Sequence, residues 1–274
     1  MHSELLPSHV YGIDFSGAAD AGKRVWIAHG LIEGEGLRIE DCHPAETLPG
    51  SGKSRDLCLP ALRDFIARQG VSVFGLDFPF GLPSPLMGQN RWEGFVRSFS
   101  DGYASPEALR QACRAAAGGR ELKRVTDHES KTPFSPYNLR LFRQTYFGIR
   151  DVLSPLASRG LACVLPMQRA LPGRPWLLEI CPAATLKALD LYVPYKGPGK
   201  ERRAARGRIL EEIEKAVPLF LPQPGLLSVI VGDPGGDALD SVVAASAAFR
   251  AIRRPDGLVP KGHAAYALEG YVYM

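Results

Sequence analysis

Two short apolar runs in this chain end in the same way. Val10–Gly17 reads VYGIDFSG and Val71–Gly81 reads VSVFGLDFPFG, so each carries Gly, an aliphatic residue, Asp and Phe in succession. Short runs rich in Val, Ile, Tyr and Phe read as β-strands. The second lacks polar alternation, as a strand buried on both faces does. Yet each run ends in a carboxylate, Asp14 and Asp77, and burying an unpaired carboxylate costs several kcal/mol or more. A chain that keeps both must fold so that they meet water, a partner or a cation.

Between these runs, Arg24–His29 and Leu37–Cys42 read as two further strands, and three strands joined by short turns suggest an antiparallel meander. Ser54–Gln69 follows as a helix with Leu57, Leu62, Phe65 and Ile66 on one face; Pro60 kinks it or delays its start, and Gly70 stops it. The order is β-β-β-α-β. From residue 81 to about 155 the pattern becomes mainly helical, with SPEALRQACRAAAGG bounded by Ser-Pro and Gly-Gly and a second helix over Asn138–Leu153. Leu161–Leu165 and Trp176–Ile180 return as strands, and Pro182–Leu189 begins a helix. Tyr195–Lys215 is a basic loop running into a helix, and Asp237–Ile252 is an Ala-rich helix behind the loop GDPGG. The expected class is α/β, one domain over residues 1–274 with a helical insertion at 81–155.

Composition narrows the function only by exclusion. No apolar run approaches the roughly 20 residues of a membrane span, and MHSELLPSHV lacks the regions of a signal peptide, so a cytoplasmic protein is expected. Five scattered cysteines without a CxxC pair argue against a zinc site and a full disulfide framework. A net charge of +4 tolerates a polyanionic partner without demanding one.

The acids carry more. Helical residues three apart share a face, so Asp237 and Asp240 project together from the first turn of the Ala-rich helix. If the two Asp-ended strands are sheet neighbours, Asp14, Asp77, Asp237 and Asp240 face one another. Like charges at that range require a cation between them, and all-oxygen ligands suit Mg²⁺ or Mn²⁺. Two such ions about 3.5–4 Å apart support phosphodiester cleavage.

The segments YGIDFSG, VFGLDFPFGLP, EICPAATLKAL followed by YKG, GDALDSVVAASAAF and EGYVYM span most of the chain. Together they resemble domain-of-unknown-function family 429, a family of predicted nucleases with an RNase H-like fold. The resemblance implies an RNase H-like mixed sheet with flanking helices. It also implies catalytic acids on the first strand, near the end of the fourth and on the last helix, places that Asp14, Asp77 and the Asp237/Asp240 pair match. Glu179, at the end of WLLEI, is the family's own extra acid.

Simpler roles exist for each acid. Asp14 and Asp77 can brace the turns that follow them, Asp237 can cap its helix, Asp240 suits the helix dipole, and Glu179 can pair with a basic residue. Lys196, Arg202 and Arg206 read as a solvated face or as a phosphate-gripping edge. In the insertion, cations including Arg124, Lys131, Arg140 and Arg143 alternate with Phe134, Tyr137, Phe142 and Tyr146. That pattern suits splayed nucleic acid or an amphipathic helical layer, and Arg124 and Lys131 are the substrate-binding candidates there. Asp127 and His128 can join the acids as an acid and a base. The expectation is a nuclease using two Mg²⁺ or Mn²⁺ ions on DNA or RNA. The alternatives are a non-catalytic nucleic-acid-binding module and an actin-like ATPase or kinase, the latter suggested by GIDFSG and GDPGGD.

Overall fold

The computed structural model describes residues 7–254 and 256–274; part of the N-terminal stretch read for a signal peptide lies outside them. The chain begins with β1 (His9–Asp14), a short turn of helix α1 (Ala21–Arg24), β2 (Trp26–Glu33) and β3 (Gly36–Pro44). Helix α2 (Arg55–Arg68) and β4 (Ser72–Leu76) complete the expected β-β-β-α-β order. Pro60 lies inside α2 and does not delay its start.

Between β4 and β5 there are only helices and loops among the described residues. They are α3 (Trp92–Gly102), α4 (Pro106–Ala116), α5 (Val125–Glu129) and α6 (Phe142–Phe147), which runs through a π-helical turn at Gly148–Leu153 into α7 (Ser154–Ser158). The helix expected from Asn138 begins at Phe142 instead. Asn138 Oδ1 accepts from the Arg140 amide, an Asx-type turn that competes with helical bonding. The chain continues with β5 (Cys163–Leu165), β6 (Trp176–Ile180), α8 (Pro182–Ala188), α9 (Lys200–Ala216) and β7 (Leu219–Phe220). It closes with α10 (Pro224–Gly232), α11 (Asp237–Arg253), α12 (Tyr266–Glu269) and β8 (Val272–Tyr273).

The strands form one mixed sheet in the order β5-β6-β4-β1-β2-β3-β7, with β8 added beside β6. The β1-β2-β3 meander is antiparallel, whereas β4 joins β1 and β6 joins β4 in parallel. Alternation along each strand builds two cores. Tyr11, Ile13, Phe74, Leu76 and Leu177 point to the face covered by α2 and the insertion. Val10, Ala28, Val73, Leu178 and Ile180 point to the face covered by α9 and α11. Helix α11 is apolar nearly all round and buried from Ala238 to Phe249, as a helix enclosed by sheet and neighbours must be. No helix among the described residues is long and apolar enough to cross a membrane.

Candidate functional site

The parallel pairing of β1 with β4 sets Gly12 against Gly75 and Ile13 against Leu76. The Asp77 amide then donates to the Ile13 carbonyl at 3.0 Å, one step beyond the ladder. Asp14 and Asp77 therefore leave the sheet side by side, on the α11 face by their parity with Gly12 and Gly75. Helix α11 comes unusually near that face because both positions are glycine. A Cβ at Gly12 would stand 1.9 Å from the Ser241 carbonyl oxygen, and one at Gly75 2.6 Å from that of Ala244. This close approach delivers Asp240, in the first turn of α11, to the two strand acids.

The resulting cluster is buried and crowded with like charge. Burial first, then the charge of Asp240, pushes the Asp14 carboxyl well above the usual carboxylate range. The same two causes raise Asp77 to about 7. Asp237, at the rim, is raised by burial to about 6. Burial also raises Asp240, against the pull of Lys196 and Tyr195.

A cation already stands among these acids. Lys196 Nζ lies 2.7 Å from Asp240 Oδ2 and 3.8 Å from Asp237 Oδ1, and the Tyr195 hydroxyl donates to Asp240 Oδ1 at 2.5 Å. Burial alone would depress the Lys196 ammonium, but Asp240 and Asp14 hold it above its ordinary value. Among the described residues, no three His, Cys, Asp or Glu side chains are arranged as they stand to hold a metal ion. The donors nevertheless suit a hard divalent cation in type and charge.

The bracing and capping roles weighed for the acids fall elsewhere. In the turn after β1 it is Ser16 Oγ that accepts from the Ala18 amide. Asp237 is not the cap of α11: Gly236 occupies that position, in the left-handed region. Asp233 instead accepts from the Gly235 and Ala238 amides, which frees Asp237 to face Lys196.

Glu179 lies opposite Leu76 across the β4–β6 pair, so the pleat turns it toward the insertion rather than toward α11. There Arg124 takes it, together with Asp127, in a buried triad: Arg124 Nη1 is 2.8 Å from Glu179 Oε2 and Nη2 is 2.8 Å from Asp127 Oδ1. Glu179 Oε2 also accepts from the Phe80 amide at 2.9 Å. Burial raises the Glu179 carboxyl while Arg124 lowers it. Three expectations change as a result. Glu179 is engaged by an arginine instead of joining the aspartates, Arg124 is enclosed rather than free to grip phosphate, and Asp127 is spent on Arg124. His128 is exposed on α5. Arg206 is buried as well, donating to the carbonyls of Tyr195, Gly197 and Val231. It holds the Lys196 loop in place instead of forming part of a surface. Arg202 donates to the Pro194 carbonyl, and Lys131 is exposed. Of the interleaved aromatics, Tyr137, Phe142 and Tyr146 are core residues, as an amphipathic layer requires. Phe134 alone stays half-buried, with the Arg140 guanidinium 5.4 Å from its ring centre.

Sequence reasoning missed Tyr195, Asp233 and Glu269. The last joins the C-terminal segment to the insertion by accepting from the Ser84 and Val125 amides. Asp77 and Asp240 open onto a cavity of about 180 Å³, walled on its apolar side by Phe134, Leu141, Pro182 and Ala183. In comparisons with known proteins, the chain matches no family model, no curated protein and no solved structure.

Proposed function

We propose that the protein is a metal-dependent nuclease of RNase H-like fold, cleaving phosphodiester bonds in DNA or RNA. The observation that carries this reading is the convergence of Asp14, Asp77 and Asp240 from β1, β4 and α11. They come from three separate elements, yet they share one buried site in which each raises the others' proton affinity or is raised by it. Independent turn braces and caps have no reason to meet. The strand order, the antiparallel meander and the long helix across β1 support an RNase H-like sheet, and the resemblance to family 429 points the same way.

In this reading Asp14, Asp77, Asp240 and Asp237 hold Mg²⁺ or Mn²⁺. When bound, a pair of such ions supplies an activated water and a charge that stabilises the leaving oxygen. The chain's own groups do the rest. Asp14 sits centrally and reaches toward both neighbours, and Tyr195 fixes the rotamer of Asp240. Lys196, half exposed on its loop, can leave the acids for a phosphate oxygen. Lys131 and Arg202 lie outside, where a strand's backbone would pass. The five cysteines are free thiols, in keeping with the cytoplasmic setting this reading carries.

One observation favours a second reading. Lys196 partly neutralises the acids without any metal, as a non-catalytic nucleic-acid-binding module would need. The actin-like reading loses its second phosphate loop, because GDPGG links α10 to α11 rather than two strands. Cleavage of a mixed panel of DNA and RNA oligonucleotides in Mn²⁺ decides. Wild type should cut and Asp14→Asn should not, with both folded by circular dichroism. Equal rates in the two proteins would sink the mechanism.

A further inference from the structure

The cavity beside the acids has no part in the reading above, and its position invites a ligand. Asp77 and Asp240 form part of its wall, so whatever fills it touches the same carboxylates that the nuclease reading places at the scissile phosphate. Its volume is about 180 Å³. An apolar cavity of about 150 Å³ takes one benzene-sized ring, so this space admits one ring system and excludes a stacked base pair.

The lining has two characters. One side is flat and apolar: the ring of Phe134, with Leu141, Pro182 and Ala183 around it. Arg140 lies over that same ring, and a ring with a guanidinium on one face is a stacking platform for a base on the other. The other side is polar, and it includes Arg124 held between Glu179 and Asp127. Thr132, Gln144 and Cys181 lie there. Gln144 gives its amide hydrogen to the Asp77 carbonyl, which leaves its own carbonyl oxygen for a base edge. The Cys181 thiol, pushed up to about 12 by burial, stays neutral.

We infer that this cavity is a base subsite, taking one unstacked nucleobase of the strand whose phosphate reaches the acids. The inference rests on the nuclease reading and narrows its substrate class to single strands, frayed ends or extruded bases. Arg124 is engaged by Glu179 and Asp127 and Tyr195 by Asp240, so the apolar wall around Phe134 makes the main contact and the subsite reads the lack of stacking rather than sequence.

The test uses the full chain in millimolar Ca²⁺ and a 5′-phosphorylated trinucleotide with 2-aminopurine at its centre, compared with a twin that is abasic there. Stacking of a base on an aromatic side chain is worth about 1–3 kcal/mol, so the base-bearing probe should bind roughly 5- to 150-fold tighter. Phe134→Ala should erase most of that ratio. Ala183→Phe, which fills the cavity from α8 without altering an acid, should erase it too, and serves if Phe134→Ala does not fold. Equal binding of the two probes to wild type, or a preference that survives the cavity-filling change, would overturn the subsite. Cleavage of the same probes in Mn²⁺ separates the two claims. Base-dependent binding without cleavage keeps the subsite and removes the nuclease, whereas equal binding with cleavage does the reverse.

Discussion

Replacing Asp77 by Asn should change how stability depends on pH, and the size of the change can be worked from the cluster. Asp77 is raised from an ordinary carboxyl to about 7, by burial and then by Asp240. A carboxyl with a raised folded-state pKa binds its proton more tightly folded than unfolded, so stability rises as pH falls through the folded value. The gain is complete only near the unfolded pKa, about 3.9. Each pH unit inside that window is worth about 1.4 kcal/mol. Moving from pH 8 to pH 5.5 traverses about one and a half units below the folded value, or about 2 kcal/mol. For a chain of this size that is about 4–8 °C in melting temperature. Burial lowers His29, and a depressed histidine acts in the opposite direction as it protonates, so wild type alone is ambiguous.

The difference between wild type and Asp77→Asn cancels His29, which both proteins carry. In EDTA, the margin by which Asp77→Asn melts above wild type should shrink by about 4–8 °C between pH 8 and pH 5.5, and close only near the unfolded pKa. Calorimetric melts at four pH values read this directly. Parallel curves would mean that Asp77 titrates as an ordinary surface acid, and the argument for a crowded carboxylate site would fail with it.

Arg124→Met leaves Glu179 and Asp127 buried without their cation, so the denaturant midpoint should fall by an amount equivalent to about 3–5 kcal/mol. A loss under 1 kcal/mol, by the same standard, would show that the triad is not closed to water. Gly12→Ala places a methyl group 1.9 Å from the Ser241 carbonyl. It should cost about 1–3 kcal/mol by overpacking and lower cleavage further by lifting Asp240 away from Asp14; unchanged melts would mean that α11 can move freely. Lys196→Met removes the ammonium beside Asp240. With that side chain 53% exposed, the pair is worth about 1 kcal/mol, so Mn²⁺ should bind about fivefold tighter by titration calorimetry. Weaker binding would make Lys196 an organiser of the acids instead of their competitor.

The site was legible in its acids and illegible in its cations, for a physical reason. Asp14 and Asp77 end apolar strands, and Asp240 opens a helix of small residues, so local pattern alone marks each as out of place. Gly12 and Gly75 sit beside those acids in the same motifs, and their spacing explains why the helix can approach. A lysine or arginine carries no comparable mark. Lys196 and Arg206 belong to one basic run, yet the first faces the acids and the second is buried on backbone carbonyls. That difference depends on how the Tyr195–Gly197 loop crosses the sheet, which no periodicity records.

Glu179 is the instructive case, because strand register sets its direction and its partner comes from far away in the chain. WLLEI alternates, and with Leu178 and Ile180 facing α11 the glutamate must face the insertion. Strand register thus separates it from Asp14 and Asp77. That Arg124 meets it there depends on a helical segment 55 residues earlier in the chain folding back over the sheet. The C-terminal strand β8 has the same origin. Two residues, Val272 and Tyr273, have no strand signal of their own and become one only by pairing with β6 beyond the end of β5. Their pairing places Val272 directly opposite Glu179, while Arg124 also donates to the carbonyl of Glu269. The buried triad therefore ties insertion, sheet and C-terminal segment together, one strand away from Asp77. A charge network in that place fixes the wall on which the cavity and the acid cluster both rest, without contributing a ligand to either.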